Sequence, residues 1–190
     1  MSRVGERLAG LLLAAGAGRR FGGPKALATV HGRSLLTTAL DALRDGGCDP
    51  VLVVTGARGD EVAQRLPTGV TEIRCEKWSL GMGESLRAGL AALPATAADA
   101  ALVHLVDLPD VGADVVRRLG SLTGTDVLAR AAYGTGPGHP VLIGRRWWPD
   151  VIATARGDRG ARDFLATRSD LVEIDCSDLA GGADVDYPDP

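Results

Sequence analysis

The sequence predicts an α/β fold, a doubly wound and mostly parallel sheet with helices on both faces, in one domain spanning residues 1–190. Apolar runs of strand length alternate with helical periodicity from one end to the other. The runs are near-continuous, as in Leu102-Val103-His104-Leu105-Val106, which suits strands covered on both faces rather than half-exposed ones. With two Phe, two Tyr and three Trp, the core must be built largely from Ala, Val and Leu.

Each element has its own signal. Residues 8–15 form an apolar run that stops at a glycine loop. Ser34 is placed to cap a helix over 34–45, whose apolar residues recur three and four apart. Strands follow at 50–56, 70–75, 100–106, 126–131, 140–143 and 171–174, each apolar and bounded by turn residues. Helices are expected between them at 59–66, 83–93, 113–121 and 160–167. Ligands of such folds lie beyond the carboxyl ends of the strands, which directs attention to the exits at 16–25, 74–83 and 107–110.

Composition excludes several classes. Twenty-one Lys plus Arg against 24 Asp plus Glu give a formal net charge of −3 with no charged tail, which argues against a nucleic-acid partner. No apolar run has the length of a membrane span. Cys48, Cys75 and Cys176 are odd in number and contain no CxxC pair, against a disulfide framework or zinc site and for a reducing cytoplasm. Arg3 and Arg7 before an apolar stretch have the outline of a secretory signal, but Glu6 and the glycine-rich turn that follows favour a strand.

The first strand exit reads Gly16-Ala17-Gly18-Arg19-Arg20-Phe21-Gly22-Gly23-Pro24-Lys25. Glycines let a backbone approach a polyphosphate and present its amides, and the three cations offset phosphate charge. A Walker A loop requires Ser or Thr after its lysine, and Ala26 follows Lys25. A dinucleotide fingerprint requires a third glycine one position before Gly22, and no acidic residue ends the second strand at Thr55-Gly56.

The pattern Leu13-Ala14-Ala15-Gly16-x-Gly18-x-Arg20-x-x-x-Pro24-Lys25 resembles the signature loop of the nucleotidyltransferase superfamily, in the form found in molybdenum cofactor cytidylyltransferases and their MobA-like relatives. The likeness continues in Gly81-Met82-Gly83-Glu84-Ser85-Leu86-Arg87-Ala88-Gly89 and in Leu105-Val106-Asp107-Leu108-Pro109. It extends to Gly138-His139-Pro140, Gly157-Asp158-Arg159-Gly160-Ala161-Arg162 and the tail Asp184-Val185-Asp186-Tyr187-Pro188-Asp189. Phe21 stands where the family usually has Met, Gly18 where the cytidylyl form often has Ser, and Tyr187 where it has Thr.

The resemblance implies a Rossmann-like nucleotidyltransferase fold of the nucleotide-diphospho-sugar transferase type. It also implies Mg2+-dependent transfer of a nucleotidyl group, CMP from CTP by the form of the loop, to a phosphorylated acceptor such as the molybdopterin cofactor. Pyrophosphate would leave, and the product would pass by transient contact to a cofactor-receiving enzyme. On this reading Leu13, Ala14, Ala15, Gly16, Gly18, Lys25, Gly83 and Ser85 bind the nucleotide. Arg20, Lys25 and Asp107 are catalytic, Arg87, His139 and Asp158 meet the acceptor, and Asp107 with Asp184 or Asp186 holds the metal. Lys25 and Arg20 are expected to face solvent in the empty protein.

Several residues carry two readings. Asp107 is a metal ligand or a helix cap, with Pro109 and Asp110 better placed than it to open the turn before Ala113. His139 is an acceptor contact or a turn histidine, and His104 reads as packed core. Arg87 meets an anionic acceptor or is solvated. Trp147 and Trp148 stack on a flat acceptor or pack the start of a helix. In another functional class, Gly16-x-Gly18-x-x-x-Gly22 can be parsed as an NADP loop with Arg58 near the 2′-phosphate, making the chain an NAD(P)-dependent oxidoreductase. Lys25 and Asp107 have no work in hydride transfer, and a guanylyltransferase of the same superfamily is the other alternative.

Overall fold

The computed structural model describes residues 5–134 and 136–186. Its strands are β1 (Leu8–Leu13), β2 (Thr29–Val30), β3 (Arg33–Ser34), β4 (Val51–Thr55), β5 (Val70–Arg74), β6 (Ala100–Leu105), β7 (Leu128–Tyr133), β8 (Gly136–Gly144) and β9 (Val172–Asp175). Among the described residues seven of these pair into one sheet in the order β5-β4-β1-β6-β8-β7-β9, while β2 and β3 form a small hairpin. β1 is parallel to β4 and β6, β4 to β5, and β7 to β9; β8 alone in the sheet runs antiparallel to both neighbours. The sheet is the doubly wound, mostly parallel one that the alternating pattern predicts.

The pleat divides the apolar strands between two cores. Leu12, Val53 and Leu102 face α1 (Leu35–Asp45) and α4 (Ala113–Gly120). Leu11, Leu13, Val54 and Val103 face α3 (Met82–Ala92), α5 (Trp148–Thr154) and α6 (Arg162–Ala166). α2 (Gly59–Ala63) covers the β4 side through Val62. Leu11, Leu12 and Leu102 are wholly buried, each contributing on the order of 2 kcal/mol of transfer free energy. Ser34 caps α1 as expected, its hydroxyl accepting from the Thr37 amide at 3.3 Å.

The structure adds what the patterns leave out. The turn at His31 and Gly32 closes the β2–β3 hairpin, whose strands are too short to carry a period. β8 begins at Gly136 rather than at residue 140, because the glycines and prolines of 136–140 read as a turn yet pair with the end of β7. His139 therefore lies in a strand, not in the expected loop. α5, whose extent no periodicity marked, starts at the Trp147-Trp148 pair as one reading of that pair expected, with Pro149 in its first turn, the position proline tolerates. Both indoles are buried and donate to backbone carbonyls, Trp147 to Asp126 and Trp148 to Ile143, each at 2.9 Å, so they pack the helix start and do not present faces for stacking.

No helix among the described residues is long and apolar enough to cross a membrane. Cys48, Cys75 and Cys176 are free and buried, and burial pushes the Cys48 thiol up to about 12. The strand order reverses between β1 and β6, so the carboxyl ends of these two strands open a crevice.

Candidate active site

The glycine loop leaves β1 at that crevice and turns on itself. The Gly18 carbonyl accepts from the Gly22 amide at 2.9 Å and the Gly23 amide at 3.1 Å. Gly18 has φ +56°, and a Cβ there would lie 1.9 Å from the Gly23 carbonyl oxygen, so no other residue fits the turn. The amides of Gly16, Ala17 and Gly18 make no hydrogen bond among the described residues. Three unpaired amides in sequence form a concavity suited to an anion.

The loop ends at Pro24, after which Lys25 opens a short helical turn. Its ammonium lies 2.8 Å from Asp107 Oδ2 and 3.4 Å from Asp186 Oδ1. The Lys25 side chain is only 15% exposed, against the expectation that it faces solvent. Burial pulls its pKa down, but hydrogen bonding and charge attraction from Asp107, then Asp186, outweigh that and leave it raised above 10.5.

Asp107 follows the end of β6 and caps no helix: α4 begins after Gly112 without a side-chain cap. Asp110 stands with Pro109 in the turn before that helix, as expected. Its carboxylate accepts from the Gly181 and Gly182 amides at 2.8 and 3.0 Å, and the Val185 amide donates to the Asp107 carbonyl at 3.0 Å. These bonds lay the tail across the β6 exit and bring Asp186 to Lys25. Asp184 is exposed and stands outside the ion cluster; Tyr187, Pro188 and Asp189 lie outside the described residues.

The loop, the β6 exit and the start of α3 enclose a cavity of about 430 Å³. Leu13, Ala15, Gly16, Gly18, Lys25, Ser85, Asp107 and Asp158 of the sequence-derived set line it. Ala14 is buried behind the wall. Arg20 is exposed and off the wall, and Arg19 stands on it instead. Gly83 contacts protein rather than the cavity: a Cβ there would lie 2.7 Å from the Arg156 amide nitrogen, so the glycine admits the 156–158 backbone that carries Asp158 to the wall. Arg87 is outside the wall, 4.0 Å from Glu84. His139 lines a smaller apolar recess with Leu13, Met82 and Val103, and burial depresses its pKa to about 4, with Asp107 opposing and Arg162 reinforcing the shift.

Arg19, Trp78 and Met82 complete the wall, all three from strand exits that the sequence had marked out. Trp78 is the one aromatic on it among the described residues. Its sequence signal was its place in the 74–83 strand exit. Arg58, required by an NADP loop, pairs with Glu61 at 2.6 Å and lies on a separate shallow recess with Phe21 and Pro24.

Among the described residues no group of three or more His, Cys, Asp or Glu gathers to hold a metal. Two carboxylates converging on one cation remain, Asp107 and Asp186. That donor set fits Mg2+ or Mn2+, hard ions commonly held by one or two carboxylates with the remaining positions filled by water and substrate phosphates.

The chain is similar to several known proteins. The chain is 42% identical over 187 residues to a nicotine blue oxidoreductase of Paenarthrobacter nicotinovorans, covering 93% of this chain and 91% of that protein. It is 33% identical over 177 residues to a probable molybdenum cofactor guanylyltransferase of Opitutus terrae, covering 87% and 81%. The crystal structure of Rv0371c from Mycobacterium tuberculosis superposes with a TM-score of 0.82 at 25% identity over 96% of this chain and 94% of that one. A complex of Rv0371C with manganese superposes with a TM-score of 0.74 at 24% identity, covering 90% and 89%. A profile of the MobA-like NTP transferase domain matches residues 10–172, and the chain belongs to that family of nucleotidyltransferases.

Proposed function

We propose that this protein transfers a nucleotidyl group, CMP from CTP, to a phosphorylated small-molecule acceptor such as the molybdopterin cofactor. The observation that carries the reading is the meeting of Lys25 and Asp107 on a cavity whose rim is the unpaired-amide loop. An acceptor phosphate oxygen attacks the α-phosphorus, the bond to the β-phosphate oxygen breaks, and pyrophosphate leaves. Two polyanions must be brought together, so the protein's work is positioning and charge neutralisation.

The amides of Gly16 to Gly18 hold the triphosphate, Lys25 meets the charge growing on the α-phosphate, and Arg19 with Arg20 draws the departing pyrophosphate. Asp107 and Asp186 would hold Mg2+ or Mn2+, which would supply charge neutralisation to the phosphates. The manganese complex of Rv0371C supports a divalent ion in this fold. Asp158 on the wall and His139 beside it face the acceptor side. Ala15, Trp78 and Ser85 surround the base, leaving backbone groups to read its edge. The setting is the cytoplasm, and the product would pass to a cofactor-receiving enzyme.

A second reading has a specific basis: the relative 42% identical is named an oxidoreductase. It is disfavoured by Arg58, which is tied to Glu61 away from the cavity, and by the Lys25–Asp107 pair, which hydride transfer does not need. Pyrophosphate release with each of the four nucleoside triphosphates, Mg2+ or Mn2+ and a panel of phosphorylated acceptors, beside titration with NADPH, separates the readings. CTP should exceed GTP. Better use of GTP would move the donor to the guanylyl form, and NADPH turnover without pyrophosphate release would carry the oxidoreductase reading.

A further inference from the structure

Two carboxylates converge on one cation in this protein, Asp107 partly buried and Asp186 nearly half exposed, and that cation is a lysine. The Lys25 ammonium is 2.8 Å from Asp107 Oδ2 and 3.4 Å from Asp186 Oδ1, with 15% of its side chain exposed and 21% of that of Asp107. A divalent ion drawn to these two carboxylates would compete with the ammonium for their oxygens.

A lysine is also able to leave. Its charge rides on a flexible four-carbon stem with three rotatable donors. Lys25 lines the same cavity as the unpaired amides of Gly16 to Gly18, so a phosphate seated on those amides offers the ammonium a second anionic partner.

We propose that Lys25 is the resident counter-ion of the Asp107–Asp186 pair, excluding free divalent metal until a substrate phosphate draws the ammonium away. Metal then enters with the triphosphate and not before it. The identity of that phosphate rests on the nucleotidyl-transfer reading; the competition between lysine and metal does not.

The test is calorimetric titration of Mn2+ into the nucleotide-free protein, for wild type, Lys25→Met, Lys25→Arg and the double variant Lys25→Met with Asp107→Asn. Lys25→Met should bind Mn2+ at least tenfold more tightly than wild type, Lys25→Arg should stay weak, and the double variant should lose the gain. A Lys25→Met protein that binds no more tightly, or a gain that survives Asp107→Asn, overturns the proposal.

A measurement on wild type alone guards against a variant that fails to fold. Lys25 and Lys77 are the only lysines in the sequence, so side-chain 15N NMR yields two ammonium signals with Lys77 as internal reference. Millimolar Mg2+ alone should leave the Lys25 signal in place, and Mg2+ with a non-hydrolysable triphosphate should shift it. A full shift with Mg2+ alone overturns the proposal. Tightened Mn2+ binding in Lys25→Met alongside a wild type that releases no pyrophosphate would remove the transfer reading and leave the competition standing.

Discussion

Lys25 Nζ and Asp107 Oδ2 stand 2.8 Å apart, joining the loop after β1 to the exit of β6 across the point where the strand order reverses. The pair explains why the loop ends in Pro-Lys and why β6 ends in an acid. Proline halts the loop, the next residue starts a short helical turn, and its side chain drops onto the neighbouring strand's exit. Lys25→Ala should lower kcat by roughly two orders of magnitude, the ~3 kcal/mol typical of removing one preorganised charge from a transition state. Asp107→Asn should remove activity outright. Steady-state pyrophosphate release beside thermal unfolding checks both, and full activity in Lys25→Ala would remove the central role given to it.

Gly18→Ala should cost on the order of 2–3 kcal/mol of stability, since it combines a positive φ with a clash against backbone that cannot rotate away. Nucleotide affinity should fall with it, because the same turn presents the free amides. Gly16→Ala is the control: a Cβ there meets nothing within 4 Å and its φ is not positive, so stability should change little. Thermal unfolding and nucleotide titration of the two variants decide the matter.

Much of this architecture was legible because strand identity depends on local apolar runs, and the runs of β1, β4 and β6 are unbroken. The start of β8 was not, since Gly136-Pro137-Gly138 carries turn chemistry and becomes strand only by pairing with β7. The loop's phosphate character could be read from its glycines and cations. Which arginine reaches the wall could not, because Arg19 and Arg20 are neighbours whose directions depend on how the loop curls at Gly18. Asp186 over Asp184 was equally hidden, being chosen by backbone bonds from Gly181, Gly182 and Val185 to partners more than seventy residues away.

Those tail bonds carry a prediction of their own. Asp110→Ala removes the acceptor for two amides and should loosen the tail, raising the Mg2+ concentration for half-maximal rate severalfold without altering kcat at saturation. Asp186→Asn should do the same more strongly, and Asp184→Asn should not, since Asp184 is exposed and outside the cluster. Equal Mg2+ dependence in all three variants and wild type would make the tail structural only.

Trp78 is partly buried against Gly56 and lines the cavity, and on the proposed reading its ring stacks on the base. Stacking of a base on an aromatic side chain is worth about 1–3 kcal/mol, so Trp78→Leu should raise KM for the nucleotide roughly ten- to hundredfold. The effect on kcat should be smaller, because on this reading the ring meets the base and not the phosphates. Tryptophan fluorescence should respond to nucleotide in wild type and lose the response in the variant, whose remaining Trp147 and Trp148 are buried beyond reach.

His104 lies wholly buried in β6, three residues before Asp107, and neither ring nitrogen has a hydrogen-bond partner among the described residues. Burial, reinforced by neighbouring His139, depresses its pKa from 6.5 to about 3. Between those values the unfolded chain binds a proton that the folded one refuses, so stability falls as pH drops through this window and is undiminished above it. Integrated from pH 7 to pH 5, the loss is about 2 kcal/mol from this residue alone. His104→Leu removes the titrating group and an unpaired polar atom pair while filling a similar volume. The variant should be at least as stable as wild type at pH 7 and should lose about 2 kcal/mol less on going to pH 5. Urea unfolding of both proteins at the two pH values is the measurement; identical acid sensitivity would mean that His104 is protonated, or partnered by water, in the folded state.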